Sequence, residues 1–213
     1  MSARLSISRV AERLVPDAAL AYLCRGNPCP RAMDTFNAPE DSLHMPSARR
    51  TTKLFVSHAH KDAPLYDEFM ELLTDMLRPS RRYDFRLWTD RSLLVGESWH
   101  AEIAQAIVQC DAGLLLVSPA FLGSEYIAEH ELPKFLVNPA KILLPVMLKK
   151  VNLQRHDLKG LEERQLFQFR TRGNTYKSFA LCGSKQKSEF VYELHEHIEQ
   201  RLDKLFSSAG HTP

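Results

Sequence analysis

Cysteine is scarce in this chain, and so is any long apolar run. Only Cys24, Cys29, Cys110 and Cys182 occur in 213 residues. They share no framework spacing, which excludes a disulfide scaffold and favours a reducing compartment. Cys24 and Cys29 bracket Arg-Gly-Asn-Pro, but zinc there needs two more ligands and His44 is the only nearby candidate. A turn with incidental thiols is the better reading. The longest wholly apolar stretch is Ala112–Val117, far short of the ~18 residues of a membrane span. No secretory h-region opens the chain, because Arg9, Glu12, Arg13, Pro16 and Asp17 interrupt it. Residues 1–14 have the weak amphipathicity of a transit peptide, with Glu12 counting against one. A cytoplasmic protein without membrane contact is the expectation.

Surplus charge is lacking too. The formal net charge is +2, and residues 1–50 hold seven Lys/Arg against five Asp/Glu. The remainder therefore carries 21 of each and is neutral. Nucleic acid is held by a clustered basic face, so it is not expected as a ligand. With 44% apolar and 25% charged residues, the composition is that of an ordinary globular protein rather than a disordered or collagen-like one. No internal repeat is present.

A boundary falls near residue 50. Pro28, Pro30, Pro39 and Pro46 punctuate the segment from Arg25 to Arg50, which reads as linker or irregular coil. Ala3–Leu14 and Ala18–Leu23 have helical spacing but are too short to be stable alone. Met45 stands just upstream of the regular region, so residues 1–44 are expected to be dispensable for its folding. The division is thus an N-terminal extension over 1–50, a domain over 51–206 and a tail over 207–213.

From Thr51 onward strands and helices alternate. Lys53–Ser57 is a short buried-type strand, and Asp62, with Pro64 two residues on, is placed to cap a helix. Leu65, Phe69, Leu72, Leu73, Met76 and Leu77 then recur at helical spacing until Arg78-Pro79. Phe85–Trp88 is a second strand, followed by a polar loop from Thr89 to Ser98. Ser98 is the expected cap of a helix whose apolar face holds Trp99, Ile103, Ala106, Ile107 and Cys110. Gly113–Val117 is apolar throughout, as a central strand covered on both sides must be. An irregular helix through Phe121–Leu136 contains Pro133, Ile142–Leu148 is a further strand, and Gln165–Phe169 is a weaker one. The last helix, from Ser188, shows Phe190, Leu194, Ile198, Leu202 and Leu205 on one face. This alternation predicts an α/β, flavodoxin-like three-layer fold. Its parallel five-stranded sheet, of order 2-1-3-4-5, would carry helices on both faces.

In such a sheet the ligand crevice lies outside the carboxyl ends of the strands where the winding reverses, here between the first and third strands. Ser57-His58 and Ser118-Pro119 end those strands. Glu125, Glu129 and Glu131 follow the third. Glu131 is rotated by roughly 200° from Glu129 at 3.6 residues per turn, so if one faces the crevice the other faces water.

Three boxes in this order resemble the Toll/interleukin-1 receptor (TIR) domain of the bacterial kind. The first is Leu54-Phe55-Val56-Ser57-His58-Ala59-His60-Lys61-Asp62. Trp88-Thr89-Asp90-Arg91 running to Gly96, Trp99 and Ile103 forms the second. The third runs from Leu114-Leu115-Leu116-Val117-Ser118-Pro119-Ala120-Phe121-Leu122 through Ser124-Glu125-Tyr126 to Glu131-Leu132. Phe179 and the helix Ser188–Leu205 are similar to the family's ending. Many members cleave NAD+ at the nicotinamide–ribose bond, with a glutamate on the helix after the third strand. The resemblance implies that Glu131 is that catalytic residue, with NAD+ as substrate and no further cofactor. One departure is Ile127, where members often carry Trp or Cys.

A single carboxylate suits that reaction. Nicotinamide leaves as a neutral molecule from a cationic precursor, so it needs no general acid, unlike the leaving groups of ordinary glycosides. What remains is to stabilise positive charge growing on the ribose. Phe55, Trp88 and Trp99 are the candidates for holding planar rings. Phe55, Ser57, His58, Asp90, Trp99 and Ser118 form the set of expected substrate contacts. Five of the six have a plainer alternative: core packing for Phe55 and Trp99, loop structure for Asp90, capping or backbone bonding for Ser57 and Ser118. Glu125 and Glu129 are read as surface residues. The pairs His58/His60 and His195/His197 are not read as metal ligands.

The resemblance also implies a role in anti-phage defence or signalling, with self-association through the Thr89–Ser98 loop completing the active site. A non-catalytic scaffold acting by TIR–TIR association is the alternative function. A phosphoacceptor domain is excluded, because acidic residues would have to stand where Ser57, His58 and His60 do.

Overall fold

The computed structural model describes residues 49–89, 99–138 and 141–209. The extension over residues 1–48, with both of its candidate helices and the Cys24/Cys29 turn, lies outside the described residues. So do Asp90, the loop to Ser98 and the last four residues of the tail.

Four parallel strands form one sheet in the order β2-β1-β3-β4, with β1 Arg50–Ser57, β2 Tyr83–Trp88, β3 Ala112–Val117 and β4 Ile142–Met147. Every residue of β3 and β4 is buried, as expected of strands covered on both faces. Side chains alternate between two cores. Leu54, Val56, Leu114 and Leu116 pack with Phe69 and Leu73 of α1 (Ala63–Leu77) and with Phe190, Leu194 and Ile198 of α5 (Ser184–Ala209). On the other face, Phe55, Leu115 and Val117 pack with Ile103 and Ile107 of α2 (Trp99–Gln109), Phe121 of α3 (Pro119–Leu122) and Phe135 of α4 (Leu132–Leu136).

The fifth strand of the expected sheet is reduced to a single bridge. Phe167 donates to the Pro145 carbonyl at 2.8 Å and accepts from Met147 N–H at 2.9 Å, beside β4. The rung on the Gln165 side would need an N–H from Pro145, which proline lacks, and on the Phe169 side the Lys149 N–H is bonded to the Val117 carbonyl at 3.2 Å instead. Phe169–Arg170 (β5) instead pairs antiparallel with Tyr176–Lys177 (β6). Among the described residues the sheet is thus four-stranded, 2-1-3-4, rather than the five-stranded 2-1-3-4-5 expected.

One glycine is required by a close approach. A Cβ on Gly113 would lie 2.5 Å from the ring of Phe135. Gly113 is the register partner of Phe55. Its bare backbone lets Phe135 lie over β3 and reach Phe55, with ring centroids 5.6 Å apart. Phe55 in turn stacks on its β2 neighbour Trp88 at 5.0 Å and 12°. This aromatic row is the floor on which the carboxyl ends of the strands rest.

Candidate active site

A cleft of about 240 Å³ opens at the carboxyl end of β1, between that strand and the segment after β3. Phe55, Ser57 and His58 reach it from β1 and its loop, Trp88 from β2, Trp99 from α2, and Glu131 from the far side.

Glu131 arrives there through an irregularity. Residues Ile127–Glu131 form a π-helical turn, in which the Leu132 N–H bonds back to the Ile127 carbonyl, five residues away. Pro133 has no N–H for the carbonyl of Glu129, and its ring crowds that carbonyl in a regular helix. Widening by one residue relieves the conflict, and such bulges recur at functional sites. Glu131 is consequently 7% exposed and faces inward, while Glu125 and Glu129 are exposed.

A buried carboxylate needs donors. Ser57 Oγ donates to Glu131 Oε2 at 2.5 Å, a short charge-assisted bond that joins the end of β1 to the π-turn. Ile127, at the position where the family often has Trp or Cys, is buried against the same cleft. Aromatic surface comes from beside it instead: Tyr126 stacks on Trp99 with centroids 4.2 Å apart and 27° between planes. Burial, and then the negative charge of Glu131, push the Tyr126 phenol above its ordinary range. His100 and His130 lie against Tyr126, each about 5 Å centroid to centroid.

The sequence-derived contacts divide as follows. Ser57, His58 and Trp99 line the cleft, and Trp99 is 40% exposed rather than packed in the core. As the first residue of α2 it projects past the layer that buries Ile103 and Ile107. Phe55 touches the cleft but is only 2% exposed, so it is floor more than contact surface. His58 stacks on Tyr66 with centroids 3.7 Å apart. Tyr66 was absent from the helical pattern although it is buried. Asp90 lies outside the described residues.

Ser118 does not line the cleft. It is fully buried, caps α3 by accepting from Phe121 N–H at 3.0 Å, and donates its hydroxyl to Asp62. Asp62 makes no side-chain cap to α1 either. Its carboxylate, 1% exposed, pairs with Lys149 Nζ at 2.6 Å. This triad links the loops that follow β1, β3 and β4, and thereby fixes the His58–Lys61 wall of the cleft. Nothing local in the sequence marked it, since Asp62, Ser118 and Lys149 are 31 to 87 residues apart. Among the described residues no group of three or more His, Cys, Asp or Glu side chains is arranged to hold a metal ion.

The parallel α/β sheet is consistent with the result of a family-model comparison. Residues 54–182, more than half of the chain, match the model described as TIR domain. The chain belongs to the TIR-domain family. The matched region of this TIR domain runs from β1 through the π-turn to the short helix that ends at Leu181, and stops before α5. A comparison with curated proteins finds no match. No helix among the described residues is long and apolar enough to cross a membrane.

Proposed function

We propose that this TIR domain, of the bacterial NAD-cleaving type, cleaves the bond between nicotinamide and ribose in NAD+, releasing nicotinamide and either ADP-ribose, when water is the acceptor, or a cyclic variant, when a group of the same molecule is. The observation that carries the reading is Glu131: a carboxylate 7% exposed, turned into a cleft and held by the Ser57 hydroxyl at 2.5 Å. A solvated glutamate would need no such support, and burying one has a cost that the Ser57 hydroxyl helps to offset.

Nicotinamide departs neutral, so the barrier lies in the positive charge that develops on the ribose. A fixed anion in a poorly hydrated cleft stabilises that charge without reorganising at the moment of reaction. Glu131 is assigned that role, and it need not become a nucleophile. Ser57 acts as a positioning residue, holding one carboxylate oxygen. Trp99 and Tyr126 provide a stacked aromatic rim for a planar ring, His58 forms part of the wall, and Phe55 with Trp88 closes the floor. The assignment of Asp90 to substrate contact stands as part of the same proposal.

The cleft is smaller than the ~300–1,000 Å³ of most small-molecule sites. It takes the nicotinamide–ribose end of the dinucleotide and leaves the remainder at the mouth, where Lys61 and His60 are exposed. A site of this size fits a reading in which protomers associate, through the segment after β2, to complete it. The proposed setting is cytoplasmic defence signalling, with residues 1–50 as a separate extension.

Incubation with NAD+ at rising protein concentration, with nicotinamide followed by chromatography, tests the reading. The rate per protomer is expected to rise with concentration. Absence of nicotinamide release at every concentration would sink the enzymatic reading and leave the TIR–TIR scaffold.

A further inference from the structure

A second concavity lies at the opposite end of the sheet, where β1 and β2 begin. It measures about 440 Å³ and is walled by Arg50, Arg81, Arg82, Tyr83, Phe206 and Ser207, with Asp203 as its carboxylate. An eight-residue strand separates it from the Glu131 cleft by about 23 Å at ~3.3 Å per residue. Nothing in the proposed reaction uses it.

Its charge is unbalanced. Asp203 is engaged twice, by the Arg82 guanidinium at 2.6 Å and by the Tyr83 hydroxyl, which donates to it at 2.5 Å. That leaves Arg50 and Arg81 with no carboxylate partner among the described residues. The Arg50 guanidinium lies 3.4 Å from the centroid of the Phe206 ring. Stacking fixes the plane of the guanidinium and leaves its N–H edge for an acceptor in that plane. Arg49, the chain neighbour of Arg50, donates from Nη1 to the carbonyls of Arg78 at 3.3 Å and Ser80 at 3.2 Å, neutral acceptors that leave its charge unbalanced there. Residues 49–213, these arginines included, hold 23 basic and 21 acidic side chains, close to balance. The arginines gathered here are therefore a local feature and not spill-over from a basic protein.

We infer that this arginine-walled concavity is a binding site for a diphosphate group. Guanidinium forks match phosphate oxygens in bidentate fashion, and two of them without carboxylate partners call for more than one negative charge. The volume exceeds what a single phosphate fills. Of its two aromatic rings, Phe206 is covered by Arg50 and Tyr83 is buried, so a nucleobase finds no open stacking surface. Inorganic pyrophosphate and a nucleoside diphosphate should therefore bind alike. Tyr83, held neutral by burial and by Asp203, adds no opposing charge.

Calorimetric titration of the full chain with inorganic pyrophosphate at low ionic strength tests this. One saturable site is expected, weakening as salt rises. Arg81→Gln should weaken it by about tenfold or more, the loss of one charge-assisted contact. Arg81 is exposed, so this variant should melt like wild type. Glu131→Gln should leave the titration unchanged, which separates this site from a dinucleotide seated in the first cleft. Three results would each overturn the inference: no saturation, equal binding by Arg81→Gln, or loss of binding in Glu131→Gln. Binding of ADP without binding of pyrophosphate would do the same, because the base would then be the recognised group.

Discussion

Replacing Ser57 by alanine removes one oxygen atom and tests how the cleft holds its carboxylate. The hydroxyl is buried at the end of β1 and donates to Glu131 Oε2 at 2.5 Å. Hydrogen bonds to charged groups contribute about 1.5–3 kcal/mol. Losing this one leaves a carboxylate that is only 7% exposed short of a donor. If the whole loss appears in the transition state, kcat/KM for NAD+ cleavage falls by about 10- to 150-fold, at 1.36 kcal/mol per decade. If the bond serves only the fold, the loss appears in the melting temperature and the activity per folded molecule is kept. Measuring nicotinamide release and thermal unfolding on the same preparations separates the two. Ser57→Thr retains the hydroxyl and should recover most of the activity. A Ser57→Ala protein with unchanged turnover and unchanged melting would refute the assignment of Ser57 as the group that positions Glu131.

Two further substitutions probe the frame around the site. Gly113→Ala places a methyl group 2.5 Å from the Phe135 ring, an overpacking expected to cost about 1–3 kcal/mol; a chemical denaturation midpoint equal to wild type would show that Phe135 moves away freely. The Tyr83 phenol is raised from 10.0 to about 12, first by burial and then by Asp203. Between those pH values the unfolded chain has released a proton that the folded chain retains, so stability falls as pH rises through that window. Tyr83→Phe should flatten the fall, read as denaturation midpoints across pH 9.5–12, a range set by the shift itself.

The strands were legible because burial on both faces leaves no polar position: Gly113–Val117 and Ile142–Leu148 announced β3 and β4 as continuous apolar runs. Helical spacing found α1 and the inner face of α5 because each buries one stripe and leaves the other face to polar residues. The irregular parts were harder to read. Gln165–Phe169 has a strand-like run, but how far it pairs depended on β4 and the residues after it, where Pro145 lacks one N–H and the Lys149 N–H is taken by Val117. Glu131 was placed by family resemblance, and periodicity gave only a conditional reading, because a π-turn shifts the phase that a 3.6-residue count assumes. Asp62 stands where a cap would stand, yet its carboxylate is claimed by Lys149 and Ser118. Spacing shows which residues can share a face and says nothing of a partner beyond the element. Trp99 was on the apolar face as expected, but a helix's first residue can extend past the core that its later turns bury.

Nicotinamide release by purified Glu131→Gln, beside wild type at matched high concentration, is the decisive measurement. Glutamine keeps the size of the side chain and removes its charge, so a melting curve close to that of wild type would exclude unfolding as the cause of any loss. Wild type is expected to release nicotinamide, and the variant is expected to release about 100-fold less or none, the scale on which one electrostatic stabiliser acts. Equal release by the two proteins would contradict the catalytic role of Glu131.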